Sequence, residues 1–496
     1  MTRKTKLVMN IGAAFTKQVI TVICGFVLPR YILKGYGSEV NGLLTSITQF
    51  LSFISFLELG VGAVVQSNLY APLAKRDDEA ISRIVVSSEK FFRTLSFIFI
   101  GYVAFLILLF PRFVASGFPF FYTVSLIIII AVSSFAQNYL GVTYQLLLNA
   151  DQKAFIQMSI QCVTLLINTG VSILFIQKGF SIQLVKLSTA ALFLIRPIIQ
   201  TIYVHHHYNI NWKIQFAGEP IQQKWNGFAQ HVAAVVVANT DVVVLTFLDT
   251  LKNVSVYSVY HSISYGVEQT IMTMSTGLEA MWGNMLANRE QERLTASFSF
   301  TEWLVHNGIS FVFVLTGILI VPFIQIYTQG ISDANYILPI FGVILTSAFG
   351  MQCLRLPYFL IIKAAGHYKQ TQTASIIEML INVVLSVALV KRFGLNGVAV
   401  GTLAAMLYHT CYFAWYLRTR ILNRPIRSFC KYLAIDVAYV LVCACLTRGF
   451  ALRELSYLAW VVLALKVGAV CLAVLIAVNC VFYRSTIHKF MQRRKK

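Results

Sequence analysis

The sequence predicts an all-α membrane protein of about fourteen transmembrane helices, arranged as two six-helix lobes followed by two further helices. Three observations predict it. First, fourteen stretches between Val8 and Tyr483 are each apolar and long enough to cross a bilayer, which takes roughly 20 residues. Second, the chain repeats itself at an offset of about 215 residues. Third, its basic residues alternate in density from one connection to the next, as a membrane topology requires.

The expected spans are 8–33, 40–66, 86–110, 120–148, 154–177, 181–204, 225–248, 254–285, 299–327, 334–362, 370–390, 395–417, 431–450 and 456–483. Gly and Pro punctuate the gaps, as in Pro111-Arg112, Lys178-Gly179-Phe180 and Arg392-Phe393-Gly394. Only 12% of the residues are charged and 57% are hydrophobic, where soluble domains carry roughly 25% charged residues. The net charge of +21 would suggest nucleic acid in a soluble protein. Here the Lys and Arg sit in short connections, so they orient the chain and point to no nucleic acid. One set of alternate gaps, with both termini, holds 26 of them, and the opposite set holds 9. Both termini are therefore expected in the cytoplasm, which needs an even number of spans. Arg3, Lys4 and Lys6 precede the first span without a small-residue cleavage pattern, so that span is expected to be a helix of the mature protein.

The duplication rests on three matches. Leu166-Ile167-Asn168 with Ser172 matches Leu380-Ile381-Asn382 with Ser386, and Asn68-Leu69 with Ala71 matches Asn284-Met285 with Ala287. Lys178-Gly179 corresponds to Phe393-Gly394. Six spans fit in one period, so the lobes repeat in the same orientation. The expected divisions are 1–210 for the first lobe, 211–424 for the second, and 425–496 for the last two helices with a basic tail. No gap holds a soluble domain, which argues against a membrane glycosyltransferase or polymerase working through a large external loop.

The nine Cys form no C-x-x-C pair, so neither zinc nor a disulfide frame is indicated. No nucleotide-binding loop occurs, and no catalytic triad: the protein is expected not to be an enzyme, to need no cofactor, and not to use ATP directly. His205-His206-His207 lies beside Tyr203, Tyr208 and Trp212, and an interfacial aromatic belt explains it better than a metal site. Sixteen ionisable residues fall within spans: Lys17, Glu58, Lys186, Arg196, His231, Asp241, His261, Glu268, Glu279, Glu302, His306, Arg355, Glu378, His409, Asp436 and Lys466. Such residues are costly in lipid and face one another or water, so a hydrated interior is expected.

Local motifs carry a resemblance. Pro29-Arg30-Tyr31-Ile32, then Gly35-Tyr36-Gly37 and Val40-Asn41-Gly42, looks like a link between helices one and two; Leu57-Glu58-Leu59-Gly60-Val61-Gly62 looks like a helix-two motif; Ala71-Pro72-Leu73-Ala74 resembles the loop after it. With the six-plus-six-plus-two plan, they resemble the polysaccharide-transporter branch of the MOP superfamily, over essentially the whole chain. The resemblance implies the MOP flippase fold and a Wzx-type flippase in the bacterial cytoplasmic membrane. Such a protein moves undecaprenyl-pyrophosphate-linked oligosaccharide repeat units to the outer leaflet for O-antigen, capsule or other surface polysaccharide. The implied partners are that lipid-linked oligosaccharide, membrane lipids, and the polymerase and glycosyltransferases of the same pathway. A cation-coupled multidrug exporter of the same superfamily is the alternative.

A pyrophosphate needs fixed positive charge or donors. Lys17 and Arg30 on the first span and Lys186 and Arg196 on the sixth are the candidates, with Glu58 and Arg355. Thirteen residues separate Lys17 from Arg30, about 20 Å along a helix. Arg30 also suits snorkelling at the membrane edge, and Arg355 also suits a structural pair with Glu378. The related lipid II flippase implies a sodium site built from an Asp on helix seven, an amide and an acid four apart on helix eleven, and a Val carbonyl and a Thr on helix twelve. Asp241, Glu378, Asn382, Val398 and Thr402 match it, with acid and amide exchanged on helix eleven. Either they bind Na+ or a proton for coupling, or they form a polar helix-packing network.

Overall fold

The structure is a computed structural model, and it describes residues 3–53, 55–114, 117–214, 228–275, 277–422 and 424–484. The side chains of Glu58 and His231 lie outside the described residues. Every element is helical: no strand occurs among the described residues. In chain order the helices are α1 (Arg3–Ser52), α2 (Ser55–Lys75), α3 (Asp78–Phe113), α4 (Phe120–Ala136), α5 (Val142–Ala150), α6 (Ala154–Gln177), α7 (Ile182–His207), α8 (Phe228–Leu248) and α9 (Leu251–Met274). They continue with α10 (Leu278–Ala287), α11 (Gln291–Tyr327), α12 (Pro339–Leu354), α13 (Leu356–Ala364), α14 (Tyr368–Phe393), α15 (Leu395–Arg420), α16 (Arg427–Thr447) and α17 (Tyr457–Phe482). A π-turn, Gln137–Gly141, joins α4 to α5 without a break in the rod. Among the described residues eleven helical runs are long and apolar enough to cross a membrane, which makes this a multi-pass membrane protein.

A helix lies at each of the fourteen expected stretches, of which 225–227 falls outside the described residues. The first two expected spans share α1, which turns at Gly37, where φ is 84° and ψ is 174°. A side chain is disfavoured at positive φ and glycine is not, so the Gly35-Tyr36-Gly37 signal marks the turn itself. The second span continues through α2. Two other spans are also divided. Gly277, at φ 101°, separates α9 from α10, and Pro357 sits in the first turn of α13, just past Arg355 at the end of α12. Proline cannot donate to the preceding turn, so the rod breaks there.

Helix starts recur along the chain. Asp78 and Gln291 open α3 and α11 at an offset of 213, Ala154 and Tyr368 open α6 and α14 at 214, and Ile182 and Leu395 open α7 and α15 at 213. The repeated Asn–Ser pair recurs as well. Asn168 and Ser172 on α6 are buried, and so are Asn382 and Ser386 on α14.

Two compact units emerge, Met1–Ser255 and Val256–Lys496. The division falls inside α9, well beyond residue 210. A polar seam explains this. Past Gly37, α1 pairs with α8 and the start of α9: Asn41 Nδ2 donates to Ser255 Oγ at 2.8 Å, and the Ser46 and Thr246 hydroxyls lie 2.7 Å apart. Gln49 and Ser52 both donate to Asn239. Gly42 permits this approach, because a Cβ there would stand 1.8 Å from the Leu251 carbonyl oxygen.

The first unit's core centres on Leu43, Ile47, Phe92, Leu126 and Leu147, all essentially inaccessible. In the second unit, Trp282, Leu294, Phe298, Ile361 and Phe413 form one core, and Cys443, Val467 and Cys471 lock α16 to α17 in another. The opposite side of α17 exposes Leu458, Leu465, Leu472 and Ile476, the apolar face a lipid-exposed helix presents.

Candidate functional site

In the first unit the cations gather on α1 and α7, with α6 packed against both. Lys17 is half-buried and lies within electrostatic reach of Cys162 on α6 and Arg196 on α7. Arg196 donates from Nε to Thr164 Oγ1 at 2.7 Å, and its guanidinium lies 3.7 Å from the Phe193 ring centroid. One edge of the guanidinium is thus fixed by a hydroxyl and one face by an aromatic ring. Such an arrangement orients the remaining N–H groups for an anion. Lys186 and Arg30 are half-buried on α7 and α1. Asp241 also belongs to this unit, 4% exposed on α8 beside the polar seam with α1.

Where α1 begins, Asp151 gathers three donors in the turn between α5 and α6. Lys6 Nζ approaches Oδ1 at 3.0 Å, while Lys153 Nζ at 2.7 Å and the Tyr208 hydroxyl at 2.6 Å approach Oδ2. Burial pushes this carboxyl up, but the hydrogen bonds from Lys153, Tyr208 and Lys6 outweigh it and hold Asp151 below the usual carboxylate range. Tyr208 is raised, by burial first and then by its bond to Asp151. Asn10 completes the clasp, donating to the Gln152 carbonyl at 2.9 Å and accepting from the Phe155 amide at 2.9 Å. Neither Asp151 nor this clasp is evident in the sequence, because its members lie on three separate segments.

The three consecutive histidines go to aromatic neighbours. His205 stacks on Trp212 with centroids 4.9 Å apart, and His207 on Tyr203 at 4.0 Å. Among the described residues no group of three or more His, Cys, Asp or Glu is placed to hold a metal ion.

In the second unit, Arg355 meets Glu378 and His409. Arg355 Nη1 donates to Glu378 Oε1 at 2.6 Å, and Glu378 Oε2 lies 2.5 Å from His409 Nδ1. The same Arg355 nitrogen lies 2.6 Å from His409 Nδ1. A single ring nitrogen cannot both accept from Arg355 and donate to Glu378, so in either tautomer only one of these two contacts is a hydrogen bond. One turn along α14 from Glu378, Asn382 Nδ2 donates to Thr402 Oγ1 at 3.0 Å, and Thr402 in turn donates to the Val398 carbonyl at 3.2 Å. Gly401 makes the contact possible, because a Cβ there would lie 2.5 Å from Ser386 Oγ. The structure thus joins Glu378 to Arg355, and Asn382 to Thr402 and Val398, within one unit.

A second buried polar cluster of the same unit ties α16 to α11. Glu302 accepts from the Tyr358 hydroxyl at 2.7 Å and from Arg424 Nη1 at 2.7 Å. One turn on, His306 Nδ1 lies 2.5 Å from Asp436 Oδ2, and Nε2 lies 3.4 Å from the Tyr358 hydroxyl. Its sequence signal is the pair Glu302 and His306, four apart on one face of an otherwise apolar helix.

No protein family and no curated sequence matches the chain. Solved structures do match its fold. The inward-closed lipid II flippase MurJ aligns over 97% of this chain and 100% of its own, with TM-score 0.69 at 16% identity. An inward-facing multidrug-resistance transporter of the MATE family aligns over 83% of this chain and 96% of its own, with TM-score 0.65 at 13% identity. A MOP-superfamily transporter from Pyrococcus furiosus, whose binding pocket is described as reversed in polarity, aligns over 85% and 97%, with TM-score 0.59 at 13% identity. The helix order, the broken second span in each half and these alignments together give the chain the fold of the MOP-superfamily transporters.

Proposed function

We propose that this protein is a flippase that carries undecaprenyl-pyrophosphate-linked oligosaccharide repeat units from the cytoplasmic to the outer leaflet of the bacterial cytoplasmic membrane, by alternating access coupled to an ion. The single observation that carries this reading is the extent of the alignments. The lipid II flippase matches 97% of this chain, against 83% and 86% for two MATE transporters. Residues 1–424, the twelve-helix part, are about 85% of the chain (424 of 496), a share of the same size as the match to the MATE transporters.

The first unit's charges support an anionic cargo. Lys17, Lys186, Arg196 and Arg30 offer positive charge on α1 and α7, and Arg196 is oriented by Thr164 and Phe193. A pyrophosphate headgroup suits them, and a cationic drug does not. The cargo would be supplied by membrane-bound glycosyltransferases and consumed by a polymerase. Within the second unit, Glu378, Asn382, Val398 and Thr402 remain the proposed site for Na+ or a proton, and Asp241 on α8 remains a proposed coupling residue of the first unit. Surface polysaccharide and membrane protein level, measured together for Lys17→Ala and Arg196→Ala, test the reading. Loss of export at normal protein level is expected, and unchanged export in both variants refutes the anion role.

A further inference from the structure

Within the second unit, α9 wears its polarity on the outside. It has 24 residues, about 36 Å of helix, enough to cross a hydrocarbon core of about 30 Å. Yet it is not among the eleven apolar runs of the described residues. One side, Val256, Tyr260, Ser264 and Glu268, is 4% exposed or less and packs on α12. The Tyr260 ring meets Phe341 edge-on at 5.0 Å, and Gln352 Nε2 donates to Glu268 Oε1 at 2.7 Å. The opposite side carries Ser262, Tyr265, Gly266, Gln269 and Thr270, exposed or half-buried, and none of them is charged. A helix face that touches hydrocarbon is apolar, as on α14, which exposes Ile377, Leu380, Val384 and Val387. An exposed polar face at the depth of Ser262, the middle of α9, therefore meets water.

The chemistry of that face is specific. Tyr257, His261 and Tyr265 stack as a ladder with centroids 5.4 Å apart at each step, and Tyr265, 47% exposed, ends it. The Tyr265 hydroxyl and the Gln269 amide, one turn apart, make no hydrogen bond among the described residues. The Ser262 hydroxyl donates to the Ser258 carbonyl at 2.7 Å and the Thr270 hydroxyl to the Gly266 carbonyl at 2.9 Å, so both oxygens turn lone pairs outward. Gly266 adds an independent sign of a ligand. A Cβ there would meet nothing within 4 Å, so no described neighbour demands glycine, although glycine weakens a helix interior. Glycine in such a place lets a ligand come close to the backbone.

We propose that the face of α9 around Tyr265, Gly266 and Gln269 binds the uncharged sugars of the lipid-linked cargo. A sugar ring has an apolar C–H face and a rim of hydroxyls that donate and accept. The Tyr265 ring suits the face, the Gln269 amide offers two donors and an acceptor, and Ser262 and Thr270 accept. No charge stands on this side, because Glu268 is turned to Gln352. A bare pyrophosphate or a cationic drug finds no counter-charge here. The proposal rests on the flippase reading and deepens it: cations on α1 and α7 serve the headgroup, and an uncharged polar face serves the oligosaccharide.

The test is binding to the purified full-length protein in phospholipid nanodiscs, free of glycoside detergent. Two probes are compared: undecaprenyl pyrophosphate carrying the oligosaccharide of the organism's own membranes, and undecaprenyl pyrophosphate alone. Wild type should bind the first about tenfold tighter or more, as a few hydrogen bonds imply. Gln269→Ala should lose about threefold to tenfold of that preference and Gly266→Leu most of it, while both bind the bare lipid as wild type does. No preference in wild type, or one kept in full by both variants, overturns the sugar surface and leaves the anion site standing. Binding of neither lipid by wild type refutes the flippase reading itself. Gly266→Ala guards against a folding defect. Alanine favours the helix, so this variant should unfold at or above the wild-type temperature and still bind the sugar-bearing lipid more weakly; unfolding well below wild type would make Gly266 a packing residue and overturn its role. Whatever the cargo, Ser262→Cys should react with a charged thiol reagent, located by mass spectrometry, and Val384→Cys should not. No reaction at Ser262→Cys would place that face in lipid and overturn the proposal.

Discussion

Arg355 donates to Glu378 at 2.6 Å and joins the end of α12 to the middle of α14. The bond fixes a choice for both residues. A guanidinium committed to a buried carboxylate has less of its charge for a headgroup, and a carboxylate shared with Arg355 and His409 reaches an added cation only by exchanging partners. Arg355 and Glu378 therefore form a structural pair whose opening would accompany any ligand exchange.

Breaking that pair from one side should be costly. Arg355→Met leaves Glu378, 6% exposed, without its cation, and removing one partner of a buried pair costs about 3–5 kcal/mol. The double variant Arg355→Met/Glu378→Gln should recover most of the loss. Unfolding temperatures of the purified variants check this, and equal loss in the single and double variants would count against the pairing.

The Asp151 clasp should respond to acid. Its carboxyl is held below the ordinary range, so its contribution is present at neutral pH and lost as pH falls through that depressed value. Wild type should be more stable than Asp151→Asn at neutral pH, and the two should converge in strong acid. A stability difference that persists unchanged in acid would contradict the assignment.

Gly401 should not tolerate a side chain. A Cβ there would lie 2.5 Å from Ser386 Oγ and 2.8 Å from the Ser386 backbone nitrogen. Overpacking of this kind costs about 1–3 kcal/mol. Gly401→Ala should lower the unfolding temperature and reduce any ion-dependent stabilisation, because it parts Asn382 from Thr402. A thermal scan in sodium and potassium buffers reads both effects.

Ion coupling is open to direct measurement. Asp241→Asn and Glu378→Gln should abolish the response of transport to whichever imposed gradient, sodium or proton, drives the wild type. An undiminished response in both would remove these residues from the coupling site.

The sequence showed the helices better than their faces. Hydropathy located the helices, and Gly37 marked a turn because glycine tolerates positive φ, whereas the break at Pro357 inside the expected span 334–362 was not read. The rotation of each helix was harder to read. A helix apolar on all sides, such as α17, carries little information about which face meets protein. Pairing was harder still. Arg424 bonds Glu302 across 122 residues of chain, and only the packing of α11, α13 and α16 brings them together. Asp241, matched with Glu378 from the resemblance alone, falls in the other compact unit.

The most direct measurement is flipping itself. Purified protein in liposomes would be given undecaprenyl-pyrophosphate oligosaccharide in one leaflet, and the sugar's exposure to a membrane-impermeant glycosidase followed. The expected result is exposure well above protein-free liposomes, reduced about tenfold or more in Arg196→Ala, as loss of a charge-assisted contact implies. Exposure no greater than in protein-free liposomes, from protein that instead extrudes cationic dyes, would contradict the assignment and favour a multidrug exporter.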